Sequence, residues 1–350
     1  MKGKNYLLIM VVFLGISCTH EDNHTFDEVH IDFNSIKTLD LSKGKEINLE
    51  ISENSIIKRI DELLIIEGQH YFIRSGSDLF LFGNNGIFKN SIGSKGNGPH
   101  EFTHFNSFFV KNDIVYIYDA MAKKILSYDF KGNFINVVSL KQHYTDILPN
   151  YIHPIQDNKF ISKNTFGGED RKTPSYSILG NDYTIRSHIK GRYLKNGITT
   201  LNNFFSNDDY TLFWELMNDT IFSIVNDTTY EQKYYVNFNE KAIPQSIKKL
   251  DLYDAIELTN KPENIKKYAT LIRSVNEDKS FLRFVFAYNK EIYYVKYDKH
   301  SNEVRTYRLT YKDRTIEPLF YLYNKMIFFP VNNADDNLNP SLVILDESIL

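Results

Sequence analysis

From residue 46 onward the chain runs in short apolar stretches broken by polar turns. Glu62-Leu63-Leu64-Ile65-Ile66 is followed by His70-Tyr71-Phe72-Ile73 and Leu79-Phe80-Leu81-Phe82, and then by the turn signal Asn84-Asn85-Gly86. Phe108-Phe109-Val110 reaches a turn at Lys111-Asn112-Asp113, and Ile114 to Asp119 and Lys124 to Asp129 form two further runs. Lys131-Gly132-Asn133 then turns the chain into Phe134-Ile135-Asn136-Val137-Val138. Runs of this length between Asn, Asp and Gly turns predict antiparallel strands joined as local hairpins. One region breaks the pattern. Between Pro244 and Val275, Ile247, Leu250, Leu252, Tyr253, Ile256 and Leu258 recur at helical spacing, as do Ile265, Tyr268, Leu271 and Ile272. With Pro262 opening the second set, the pattern predicts a helical insertion.

The strands also repeat. Ser77 to Phe88 can be laid over Lys123 to Phe134: strand, aromatic, Gly-containing turn, new strand opening on an aromatic. Glu291 to Ser301 is a weaker third copy whose turn lacks glycine. The offset of about 46 residues falls in the range of propeller blades or solenoid units. No Pro/Ser-rich linker divides the chain, so residues 44–350 read as one closed, repetitive β-domain.

Composition agrees with this. Of 350 residues 42% are hydrophobic and 24% charged, so a full core can form, and 24 Tyr and 26 Phe against one Trp favour strands. A formal charge of −3 argues against a nucleic-acid partner, which requires a clustered basic face. The N-terminus is different in kind. Lys2 and Lys4 precede an apolar run from Tyr6 to Ile16 that is too short for a hydrocarbon core needing about 20 residues, so residues 1–17 read as a signal peptide. Its loss would make the chain two charges more negative. Cys18, the single cysteine, stands where cleavage would fall, and Leu14-Gly15-Ile16-Ser17-Cys18 resembles a bacterial lipobox with its leucine one place further upstream than usual. The resemblance implies lipidation of Cys18 and attachment to a membrane. Residues 18–43 read as a solvated tether. Its early acids resemble the surface-export signal of Bacteroidetes lipoproteins, which implies an outer-membrane, surface-exposed location. His20, Glu21, Asp22 and His24 could ligate a metal only by ordering a flexible segment at an entropic cost.

Residues 92–102, IGSKGNGPHEF, look most like a motif. As a Walker loop they fail, because Lys95 precedes Gly96 and Gly98 and no Ser or Thr follows in register. As a dinucleotide fingerprint they fail at Glu101, where glycine is needed, and Pro99 removes a backbone donor. A structural corner fits better: Gly96 and Gly98 can take positive φ, Pro99 stiffens the exit and Phe102 anchors the loop. Together with Gly93, the segment resembles the inter-blade signature of NHL-type repeats. It is closer to six-bladed β-propeller lipoproteins of Bacteroides and relatives, whose loop runs Gly-x-x-Gly-x-Gly-Pro-Gly-Glu-aromatic. His100 departs from that pattern and requires a backbone suited to a non-glycine residue. Asn218 to Phe222 with Lys233 to Phe238 resembles the family's fourth blade, and Asp335 to Leu345 its closing strand. The resemblance implies a six-bladed propeller from about residue 45 to the C-terminus. Its ring would be latched by Glu46–Ile51 pairing beside Leu342–Leu345.

Chemistry is harder to locate. Asp335-Asp336-Asn337-Leu338-Asn339 is oxygen-rich, but Pro340 replaces the glycine of a calcium loop and the distal glutamate is missing. His100 and His104 lie in a loop, with no His-Glu-x-x-His and no Gly-x-Ser-x-Gly elbow anywhere. The sequence therefore points to no catalytic set, metal site or cofactor. Lys95, His100, Trp214 and Glu215 are the binding candidates; Trp214 would either stack on a sugar or fill a core. The expected function is a non-catalytic binding propeller with a glycan, peptide or envelope-protein partner. The alternative is a lyase or hydrolase at the channel mouth, favoured if His, Asp and Arg converge there.

Overall fold

The computed structural model describes residues 26–144, 147–165, 174–190, 202–333 and 338–350. Its strands form six separate sheets, each with four strands in simple antiparallel order. The first blade comprises Glu62–Ile66, His70–Ser75, Asp78–Gly83 and Phe88–Ser91. The second runs from Ser107 to Ser139, the third from Leu148 to His188, the fourth from Phe204 to Asn237 and the fifth from Thr270 to Thr310. Tyr321–Tyr323, Met326–Val331 and Ser341–Asp346 form the sixth, completed from the other end of the chain by Lys45–Asn48. The fold is a six-bladed β-propeller.

Six apolar clusters hold the ring, each lying between two neighbouring blades. Strand alternation makes this possible, because successive side chains leave opposite faces of a sheet. Phe108 packs toward the first blade and Phe109 toward the third; Phe284 and Phe286 face the fourth blade and Val285 the sixth. Both faces of each sheet are covered, which is why the apolar runs are continuous rather than strictly alternating.

The repeat detected in sequence is the third strand, turn and fourth strand of blades one, two and five. Gly86 and Gly132 take φ of +80° and +81° in the first two turns, and Asn302 takes +58° in the fifth blade, where glycine is missing. Asparagine tolerates this region better than other side chains.

The latch pairs Lys45–Asn48 antiparallel with the last long strand: Ile47 opposes Leu342 and Glu46 opposes Val343. Asn339 clamps the following segment. Its Oδ1 accepts from the Ile57 amide at 2.7 Å, and its Nδ2 donates to the carbonyls of Glu50 and Ser55 at 2.7 and 2.6 Å. Asp335, Asp336 and Asn337 of the oxygen-rich stretch lie outside the described residues, as do Cys18, His20, Glu21, Asp22 and His24.

Two expectations are corrected. The stretch read as a tether through residue 43 is packed from Asp27 on. Asp27–His30 pairs parallel with the rim strand of blade four, and Lys37–Asp40 with that of blade five. Val29, Ile31, Leu39 and Leu41 are buried and drive this winding. The helical insertion is shorter than expected: Gln245–Lys248 and Leu252–Asn260 are helical, but the segment after Pro262 is a series of turns leading into the strand Thr270–Glu277. That strand carries two bulges, so Ile272 and Val275 reach the same core at a spacing of three.

Candidate functional site in the central channel

First strands of adjacent blades approach one another around the axis, and the rim strands lie outermost. Because each blade has an even number of antiparallel strands, every connection from a rim strand to the next first strand lies at one end of the ring. The signature loop, the helical insertion and the residues Asp61, Asn202 and Glu317 all share that end. Residues from all six first strands, or the segments entering them, enclose a central cavity of about 310 Å³.

Its polar side chains come from different blades. Glu62 opens the first strand of blade one, accepts a hydrogen bond from Tyr151 Oη at 2.7 Å and faces Arg74 at 3.7 Å. Burial raises its pKa, against the opposing pull of Arg74 and the Tyr151 hydrogen bond. Asp61 accepts from Arg59 Nε at 2.8 Å and from the Gly76 amide at 2.7 Å. Arg74 donates to the carbonyls of Phe105 and Asn106, both at 2.9 Å. The cavity is also lined by Arg273, whose pKa is lowered by burial against the influence of Glu317, Asp61 and Glu62. Among the described residues the Arg273 side chain makes no hydrogen bond or ion pair.

The backbone explains how a cation comes to point there. Arg273 opposes Val285, but three residues stand against two on either side of it, giving consecutive bulges. Leu271 and Ser274 take φ of +64° and +49°, the two positive values that fall inside a strand among the described residues. Non-glycine residues pay on the order of 1 kcal/mol or more for such conformations, and bulges re-aim side chains near functional sites.

His153 lines the same cavity and stacks on Phe204 with ring centroids 5.6 Å apart. Burial pushes its pKa down to about 4 from an ordinary 6.5. A group with a depressed folded pKa contributes stability above its unfolded pKa and loses it as pH falls toward the folded value. The melting temperature should therefore fall between pH 6.5 and about 4. His153→Gln should flatten that fall by on the order of 2 kcal/mol, a figure discounted because the ring borders an accessible channel. Parallel pH profiles for the two proteins would contradict this assignment.

The candidates read from the sequence separate. Trp214 is only 2% exposed and lines the cavity, packed in the core between blades four and five. Glu215 lies beside it, accepts from Tyr176 Oη at 3.4 Å and partly offsets the burial that pushes Lys163 down to about 8. The signature loop does not line the cavity. Its Lys95 and Pro99 are exposed, Phe102 is buried against Phe105, and His100 stacks on Phe134 at 3.9 Å while its carbonyl accepts from Tyr128 Oη.

The loop glycines also differ from expectation. Gly93 takes a positive φ of +69°, whereas Gly96 and Gly98 do not. Those two make room for the Glu101 carboxylate, which accepts from the Gly98 amide at 2.8 Å; a Cβ at Gly96 would lie 2.0 Å from Glu101 Oε2. Gly96→Ala should cost roughly 1–3 kcal/mol, as overpacking does. Adding Glu101→Ala should return part of the loss in chemical denaturation; purely additive losses would rule out the contact as the cause.

No motif in the sequence marks Asp61, Glu62, Tyr151, His153 or Arg273 as site residues. The available signal was a charge at the head of or inside an apolar strand, as in Glu62-Leu63-Leu64 and Ile272-Arg273-Ser274. Among the described residues no three His, Cys, Asp or Glu side chains gather as metal ligands would, and no helix is long and apolar enough to cross a membrane.

A family model described as a domain of unknown function, DUF4934, matches residues 35–348. A crystal structure of a Bacteroides fragilis protein described as exported superposes with a TM-score of 0.68 at 15% identity, covering 91% of this chain and 98% of the other. A DUF4221 member from Bacteroides vulgatus gives 0.58 at 11% identity, covering 86% and 95%. Both likenesses are of fold. No curated protein matches the chain.

Proposed function

The chain belongs to the DUF4934 family, and on that premise we propose that it is a cell-envelope lipoprotein whose propeller binds a small ligand in its central channel without transforming it. The carrying observation is the cavity itself. Charged side chains from blades one and five meet there, and one of them, Arg273, makes no hydrogen bond or close ion pair with another described residue. A volume of about 310 Å³ is at the small end for ligand sites, which favours a compact molecule over a glycan chain or folded partner. The groups do not form a catalytic relay. Among the described residues His153 makes no hydrogen bond to a carboxylate, and Ser206 Oγ pairs with Thr211 Oγ1 at 2.9 Å rather than with a base.

A second reading, a propeller enzyme, draws on two observations: Asp61, His153 and Arg273 converge on the one cavity, as that reading requires, and Glu62, its pKa raised by burial, sits there with Tyr151. Native mass spectrometry against small acids, sugars and dipeptides, with metal analysis, separates the two. Binding predicts a one-to-one complex of unchanged ligand mass. A converted ligand, or stoichiometric metal, would overturn it in favour of the enzyme.

Export is supported by Lys2, Lys4, the apolar run and Cys18, and by the exported Bacteroides fragilis protein of the same fold. The tether would be short. Because the first rim strand begins at Asp27, the lipid on Cys18 could lie at most about 30 Å from blade four. Wild-type protein should incorporate a palmitate label and sediment with membranes, and Cys18→Ala should do neither. An unlabelled wild type would remove the anchor from this account.

A further inference from the structure

We propose that the channel seats a small carboxylate with a flat apolar body, gripped through the guanidinium of Arg273. This rests on the reading of the channel as the ligand seat and adds the class of ligand.

Three observations carry it. First, the other channel charges are already satisfied: Asp61 holds Arg59 and the Gly76 amide, and Glu62 holds Tyr151 and faces Arg74. Glu317, whose charge acts on Arg273, accepts from Asn332 Nδ2 at 2.7 Å but makes no hydrogen bond or ion pair with the guanidinium. Arg273 is thus the charge left open, and its planar fork matches a carboxylate in bidentate geometry. Second, the remaining wall is aromatic. Phe108, Phe109, Phe204, Phe205, Trp214 and Phe320 line the same cavity, and aromatic faces stack readily on flat rings. Third, two strained bulges hold Arg273 in place, and a backbone keeps such strain where the surrounding structure enforces it.

The charges nearby also select against other ligands. A cation would have to displace Arg59 or Arg74 from its carboxylate. A phosphate would bring up to two negative charges to one free cation, close to Asp61, Glu62 and Glu317. A single carboxylate brings the least negative charge to the donors that Arg273 leaves open beside those three acids.

Trp214 is the only tryptophan in the chain and lines the cavity, so its emission reports on channel occupancy. Benzoate, phenylacetate and hydrocinnamate would be titrated against the intact folded protein, each beside its matched primary amide. At least one acid should change Trp214 emission saturably and bind about tenfold or more tighter than its amide. Arg273→Gln should abolish that preference, and Arg273→Lys should retain part of it. If amides bind as tightly as acids, the channel remains a ligand seat and the carboxylate assignment falls. The assignment also falls if Arg273→Gln keeps the full preference. If no acid or amide perturbs Trp214 at millimolar concentration, both readings fall. The wild-type comparison of acid with amide stands even if a variant folds poorly.

Discussion

Deleting residues 44–52 lowers the melting temperature by roughly 10 °C or more, or leaves the chain unfolded. The deletion removes the fourth strand of blade six and exposes the edge of Ser341–Asp346. It also strips Ile47 and Leu49 from the cluster joining blades six and one, where each buried side chain contributes about 1.5–3 kcal/mol. Tyr311 Oη loses Glu46, to which it donates at 2.6 Å, and Arg314 loses the same carboxylate. Each kcal/mol shifts the melting point by about 2 °C in a chain of this size. A truncation that starts at residue 35 gives the contrast. It removes Asp27–His30, but blade four keeps four strands of its own, so the loss should be markedly smaller. Scanning calorimetry on the two variants decides; an unchanged melting curve for the 44–52 deletion would show that the ring closes without its latch.

The second large effect lies at the other chain end. Arg283, on the second strand of blade five, is 1% exposed and binds the Glu347 carboxylate through Nε and Nη2. Nη2 also donates to Asp278 at 2.8 Å, and Lys296 lies 3.5 Å from Glu347. The pair ties the turn after the last strand of blade six back onto blade five. Removing one member of a buried ion pair strands the other, at a cost of about 3–5 kcal/mol. Arg283→Met should therefore lower the melting temperature by several degrees. The double change Arg283→Met with Glu347→Leu should recover part of the loss, because it removes both members of the pair while Lys296 keeps only the Leu350 carbonyl. If the double variant is as unstable as the single, lost packing rather than the stranded carboxylate explains the effect.

What the sequence disclosed depended on how local the cause was. Hairpin turns, the repeat of third and fourth strands and the latch segment all carry their signals within a few residues. Asp27–His30 and Lys37–Asp40 did not, because each short strand buries a single side chain, Val29 or Leu39, amid polar neighbours. The segment from Ile265 to Ile272 read as helix because apolar residues fell three and four apart. Part of that spacing belongs to a bulged strand, where an extra residue converts a period of two into three. The site was least visible of all. Glu62 and Arg273 lie more than two hundred positions apart and meet only because six blades close into a ring. In the signature loop the glycines were legible but their reason was not. Glu101 needs the space at Gly96, and no local pattern states that.

The most direct test of the channel as ligand seat is a crystal structure of the protein grown with saturating hydrocinnamate. Density for the acid is expected inside the ring, its carboxylate on Arg273 and its phenyl ring among Phe204, Phe205 and Trp214. An empty channel with the acid bound elsewhere on the propeller would contradict it.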